Sequence, residues 1–109
     1  MPGEYVVAHI ASSGNIFADL GLPKPDHLLA KAELAAKIIA EIQRRRLTQS
    51  QAATLLGIDQ PKISALKQGK LSAFSIERLM HFLLQLGHDI EITVRDKPRS
   101  RQTARLRVA

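Results

Sequence analysis

The stretch from Leu47 to Gln68, LTQSQAATLLGIDQPKISALKQ, constrains the fold more than any other part of the chain. It reads as two short helices joined by a tight turn. Thr48-x-x-Gln51 has the spacing of a capping box, in which each side chain satisfies the other residue's backbone N–H at a helix start. Ala52, Ala53, Leu55 and Leu56 give the first helix an apolar side. Gly57 supplies the left-handed residue that ends it, because a residue without Cβ enters that conformation without a clash. Ile58 plugs the corner. Asp59 or Gln60 starts the second helix, with Pro61 in its first turn, where a missing N–H has no partner to lose. Ile63 and Leu66 face inward, Gly69 ends the helix, and Ala53 is small where the two helices must cross closely.

Two helices so arranged make a helix-turn-helix, and the second is the one expected to enter the DNA major groove. With Ile63 and Leu66 inward and a turn of about 100° per residue, Pro61, Ser64, Ala65 and Gln68 point most directly outward. Gln60, Lys62 and Lys67 lie on the flanks. A glutamine amide bonds adenine N6 and N7 together, which makes Gln60 the best candidate for reading a base; Ser64 suits either type of base edge, and Ala65 suits a thymine methyl. Lys62 and Lys67 suit phosphates. So do Gln49, Ser50 and the free N–H groups at the start of the first helix, with Lys70 and Arg78 as further candidates. A simpler reading stands beside each: an exposed lysine is usually just solvated, and Gln60 can serve as a helix cap.

The order Leu47-Thr48-Gln49, Ala53, Gly57, Gln60, Ile63-Ser64, Leu66 and Gly69 closely resembles the Xre/Cro-repressor class, over roughly residues 33 to 87. The wider frame, SSGNIFADLGLP plus the segment after Gly69, resembles a HigA-type antitoxin subgroup of that class. The resemblance implies a mainly α, lambda-repressor-like bundle of about five helices with a C-terminal β-strand. It implies a repressor that binds double-stranded operator DNA as a homodimer. For the subgroup it further implies an antitoxin that represses its own operon and neutralises a RelE/HigB-like, RNA-cleaving toxin; a stand-alone regulator without a toxin is the alternative. It supports Gln49 and Gln60 by position. Pro61 and Ala65 stand where that class often carries polar base contacts, so readout would lean more on DNA shape.

The chain divides into an arm over residues 1–25, a core over 26–95 and a tail over 96–109. In the arm, Tyr5 to Ile10 is strand-like, Ala11 to Asn15 is a turn, Ile16, Phe17 and Leu20 fit one helical turn, and Leu22-Pro23-Lys24-Pro25 reads as a rigid extended break. The arm either packs over the core or orders on a partner protein. Asp26 offers a cap for a helix to about Arg46, with an apolar stripe of Leu28, Ala32, Ala35, Ile39 and Ile42. Glu33–Lys37 and Glu41–Arg45 are i,i+4 pairs in the favourable order. Arg44, Arg45 and Arg46 complement the dipole of its C-terminus. Phe74 and Leu79 flank a cap at Ser75 with the spacing of a hydrophobic staple.

The helix from Ile76 to Leu86 has a narrow polar stripe of Glu77, Arg78, His81 and Gln85, and carries more apolar surface than one small core requires. Gly87 stops it. His88 to Arg95 alternates, with Ile90, Ile92 and Val94 on one side, which reads as a strand. A lone strand leaves its backbone groups unpaired. It must meet the N-terminal run, its copy in a second subunit, or a partner's sheet edge. The 76–86 helix and the Ile90, Ile92, Val94 strand are the expected homodimer surfaces. Pro98 breaks the strand, and the tail is expected to be disordered.

The net charge of +6 is uneven. Residues 95–109 hold Arg95, Lys97, Arg99, Arg101, Arg105 and Arg107 against Asp96, and six cations less one acid leave +5 there. Basic composition alone is therefore a poor argument for DNA binding, although such a tail attracts polyanions. There are no cysteines, so neither disulfides nor a thiolate metal site is possible. No apolar run approaches a membrane span, and Glu4 interrupts any secretory pattern, so the cytoplasm is the expected compartment. An enzyme is not expected, nor a cofactor. There is no nucleophile elbow and no phosphate-binding glycine loop, and His9, His27, His81 and His88 are scattered.

Overall fold

The computed structural model describes residues 4–5 and 24–109; the expectations placed on residues 1–3 and 6–23, including the helical turn at 16–20, lie outside them. The order of elements is β1 (Glu4–Tyr5), α1 (Lys24–Arg44), α2 (Gln49–Leu56), α3 (Gln60–Lys67), α4 (Ile76–Gln85) and β2 (Thr93–Val94). Four helices therefore stand among the described residues, against the five or so that the resemblance implies. No helix among them is long and apolar enough to cross a membrane.

α1 is the platform. It starts at Lys24 and runs through Pro25, where an extended break was expected, because a proline in the first turn sacrifices no hydrogen bond. Asp26 lies inside that turn and does not cap it. The buried face is Ala30, Leu34, Ala35, Ile38 and Ile42, rotated from the expected stripe. Leu28 is 56 % exposed, Ala32 is exposed and Ile39 is half-buried. Both sets obey the 3.6-residue period, so periodicity alone does not choose between them. The side bearing Ala32, Ala36 and Ile39 lines a shallow groove edged by Leu66, Lys67, Gly69 and Leu71.

Each of the four helices closes with a backbone N–H bonded to the carbonyl five residues earlier. Leu47 N–H bonds Ile42 O and Arg46 N–H bonds Gln43 O; the same pair of bonds recurs at Lys70 to Ala65 with Gly69 to Leu66, and at His88 to Leu83 with Gly87 to Leu84. At α2, Ile58 and Gly57 both donate to Ala53 O. Each end needs one left-handed residue. Gly57, Gly69 and Gly87 fill three of these positions, and at α1 Arg46 takes it with φ 55°.

α4 is held at its start by Ser75, whose Oγ accepts from Arg78 N–H at 3.1 Å, with Phe74 and Leu79 buried on either side of that cap. Phe74 and Phe82 meet edge to face at 6.0 Å. The Arg78 guanidinium lies over both rings, 5.7 and 5.6 Å from their centres. That stacking holds the half-buried Arg78 against the core. The core absorbs Ile76, Leu79, Phe82, Leu83 and Leu86, so the apolar surplus expected on this helix reduces to exposed Leu84 and half-buried Met80.

Glu41 is the buried charge, with a side chain 6 % exposed. Arg44 grips it with two bonds of 2.6 Å, and Arg45 Nε adds a third at 2.9 Å. Arg45 also donates to the carbonyl of Leu86, and His88 Nε2 stands 3.6 Å from the carboxylate. The cluster ties the end of α1 to the end of α4. The i,i+4 pair foreseen for Glu41 is thus part of a larger knot.

β2 is shorter than the strand expected over 88–95 and pairs antiparallel with β1, Glu4 opposite Val94 and Tyr5 opposite Thr93. Of the three partners open to it, the N-terminal run is the one it meets. Ile90 and Ile92 are half-buried and Val94 is exposed. The tail differs from the expected free end. Lys97 Nζ and Arg101 N–H brace a turn at Pro98–Arg101, and Leu106 N–H donates to Asp26 Oδ2 at 3.2 Å. Leu106 and Val108 pack against the core beside Leu29 and Ala30, because the alternation Arg105-Leu106-Arg107-Val108 lets the apolar side chains face α1.

The hydrogen bonds from Arg44 foremost, then from Arg45, hold the Glu41 carboxyl at about 2, below its ordinary 4.5, against the opposing effect of its burial. A carboxylate depressed on folding stabilises the protein above its ordinary range, and that contribution fades as pH falls through the folded-state value. Glu41→Gln is therefore expected to lower the melting temperature at neutral pH, with the gap to wild type closing between pH 4.5 and about 2. Melting curves of both proteins across that range check it.

Candidate nucleic-acid interface

The capping box forms as its spacing requires. Gln51 N–H donates to Thr48 Oγ1 at 3.1 Å, and Thr48 N–H donates to Gln51 Oε1 at 2.9 Å. That leaves Gln49 and Ser50 in the first turn of α2, half-buried and exposed respectively, where backbone N–H groups have no helical acceptor. Ala52, Ala53 and Leu56 are buried, and Ala53 allows α3 to cross closely. Gly57, at φ 70°, turns the chain, and Ile58 packs into the corner. No atom stands within 4 Å of a Cβ built on Gly57, so backbone conformation and not space demands glycine there.

Asp59 is the cap of α3, its Oδ1 accepting from Lys62 N–H at 3.0 Å. Gln60 is thereby relieved of that duty and stands exposed as the first residue of the helix. Ile63 is 0 % and Leu66 2 % exposed, so the inward side is the one expected. The opposite side carries Gln60, Pro61, Lys67 and Gln68, all exposed. Pro61 offers no hydrogen-bonding side chain at one of the most outward positions. Ser64 is half-buried and its Oγ accepts from Gln68 Nε2 at 3.2 Å, so these two residues present a joined polar pair. Ala65 is half-buried against the core, further inward than helical geometry suggests. Lys62 is half-buried; Lys67 and Lys70 are exposed, Lys70 just past the end of α3.

The salt bridges among the described residues go to Glu41, and none of them involves Lys62, Lys67 or Lys70. Lys31 is different: its Nζ donates to Leu71 O at 3.3 Å, and burial lowers its pKa. It fastens the loop after α3 to α1. The arrangement can offer hydrogen-bond donors and acceptors from Gln60, Ser64 and Gln68 to a groove, flanked by cations for phosphates. Among the described residues no group of three or more His, Cys, Asp or Glu could hold a metal. The Leu106–Asp26 contact, which holds the tail, carries no sequence signal beyond the alternation at 105–108.

A family model described as a helix-turn-helix domain matches residues 16–95. A solved structure with the provisional description XRE family transcriptional regulator is similar over 80 % of this chain and 98 % of its own, at 49 % sequence identity and a TM-score of 0.74. No curated protein matches the sequence.

The Asp59 cap is expected to contribute about 1 kcal/mol. Asp59→Ala should lower unfolding free energy in urea by that amount and weaken duplex binding with it, since α3 must be formed to present Gln60. Loss of stability with unaltered DNA affinity would separate the cap from the interface.

Proposed function

Because the chain belongs to the Xre family of helix-turn-helix DNA-binding proteins, we propose that it is a sequence-specific transcriptional repressor whose α3 reads an operator in the major groove. The observation that carries this is the capping of α3 by Asp59, which leaves the Gln60 amide exposed while Ile63 and Leu66 lock the helix to the body. In this reading Gln60 and Ser64 meet base edges, with Gln68 beside them and Ala65 limited to a methyl contact. Lys62, Lys67 and Lys70 meet phosphates, as do Gln49, Ser50 and the N-terminus of α2. Residues 26–95 form the DNA-binding unit, and the protein works in the cytoplasm.

One recognition helix spans few base pairs, so the repressor acts as a homodimer on two half-sites ~34 Å apart. Ile90, Ile92, Val94 and the residual apolar surface of α4, Leu84 and Met80, are the proposed contact. The narrower reading is an antitoxin that represses its own operon and sequesters a RelE/HigB-like toxin. It is supported by the SSGNIFADLGLP frame. The stand-alone regulator is the second reading, with which the description of the solved relative is equally consistent. Co-purification of a small basic protein encoded beside this chain separates the two.

Gln60→Ala should weaken binding to a selected operator duplex by ~1–3 kcal/mol and relax the preference at one base position. Fluorescence anisotropy against single-base operator variants measures both. An equal loss on random duplex would remove Gln60 from base reading.

A further inference from the structure

The basic end of the chain is held to the body of the molecule while most of its cations stay exposed. It leaves the sheet at Val94, braces itself through the Pro98–Arg101 turn, and is fastened again at Leu106 and Val108 on α1. Between these anchors Arg95, Lys97, Arg99 and Arg105 are exposed, and Arg107 is exposed between the two anchoring side chains. None of them has an ion pair among the described residues, where Glu41 takes every such contact. Arg101 Nη1 is buried without a hydrogen-bond partner among the described residues. The acid within the stretch is Asp96. A row of exposed cations on an anchored segment attracts a polyanion.

The anchors also set where this charge lies. Lys31 ties the loop after α3 to α1, and Asp26 ties Leu106 to the same helix. Asp26 and Lys31 are five residues apart, ~7.5 Å along a helix axis. The exit of α3 and the far anchor of the basic stretch therefore bracket one end of α1, across roughly the ~10–12 Å width of a helix. Lys67 and Lys70 approach that end from one side, Arg105 and Arg107 from the other. The basic stretch lies almost wholly beyond residues 16–95 that the family model matches, so it is an addition to the helix-turn-helix unit.

We propose that residues 95–107 form a basic arch, anchored at both ends, that binds the phosphate backbone of the duplex read by α3. This rests on the DNA-binding function proposed above and adds a second contact surface to it. The arch positions without specifying, because phosphates carry no sequence information. Anchoring matters: an arch already fixed at Leu106 and Val108 loses less conformational freedom on binding than a loose tail.

The test is the salt dependence of binding by the full chain to a labelled mixed-sequence duplex, read by fluorescence anisotropy over a series of KCl concentrations. Each phosphate neutralised contributes ~0.9 to the slope of log K against log salt. Substituting Arg95→Gln, Arg99→Gln, Arg105→Gln and Arg107→Gln together should reduce the magnitude of that slope by about 3.6. These side chains are exposed, and the anchors are retained. A second variant, Leu106→Ser with Val108→Ser, keeps every charge and frees the end of the arch; it should bind at least threefold more weakly than wild type at fixed salt. An unchanged slope in the first variant, with wild type binding well, overturns the arch alone. Wild-type affinity in the second overturns the anchoring. A folded wild-type protein that binds no duplex overturns the DNA-binding reading and the arch with it.

Discussion

The seating of Ile63 and Leu66 in the core governs everything else about this molecule. α3 has eight residues, too few to hold a helix in water by itself. Its existence depends on burying one side, and that burial decides which side remains outside. Gly57 aims the helix and Asp59 starts it, but neither sets its rotation about its own axis. The two apolar side chains do, and Gln60, Lys67 and Gln68 are outside as a consequence.

α1 supplies what α3 is seated on, and its own position is secured by charge as well as packing. Glu41 is an acid that would be costly to bury alone. Two arginines surround it, one of which also reaches the carbonyl at the end of α4. An apolar pair could hold α1 against α4 equally firmly. The polar knot adds direction, since a carboxylate, two guanidiniums and a carbonyl satisfy one another in few arrangements. The other end of α1 is fastened more lightly, by Lys31 to the loop after α3 and by Asp26 to the tail.

Legibility in the sequence followed the distance over which each feature is decided. The capping box, the turn at Gly57, the staple about Ser75 and the helix stops at Gly69 and Gly87 involve residues a few positions apart, and all were readable. The stripe on α1 was not, because Leu28, Ala32 and Ile39 satisfy the helical period as well as Ala30, Leu34 and Ile38. The positions of α4 and α3 select between them. Pro25 opens a helix where its sequence suggests a break, because its neighbours, and not its own ring, decide whether a proline opens a helix or precedes one. At the candidate site, the outward placement of Gln60, Lys67 and Gln68 followed from Ile63 and Leu66. The inward lean of Ala65 depended on what packs beside it.

The order of residues by itself determined that two short helices meet at a left-handed corner, where each begins and ends, and which side of the second is apolar. Those outcomes rest on backbone hydrogen bonds and single-residue conformations, which neighbours in the chain settle between them. Tertiary structure alone decided which face of α1 is core, that Arg78 stacks on Phe74 and Phe82, that β2 meets β1, and that the basic end returns to Asp26. Each of these joins groups distant in the chain, and a contact of that kind forms only where the packing of every other element leaves room for it.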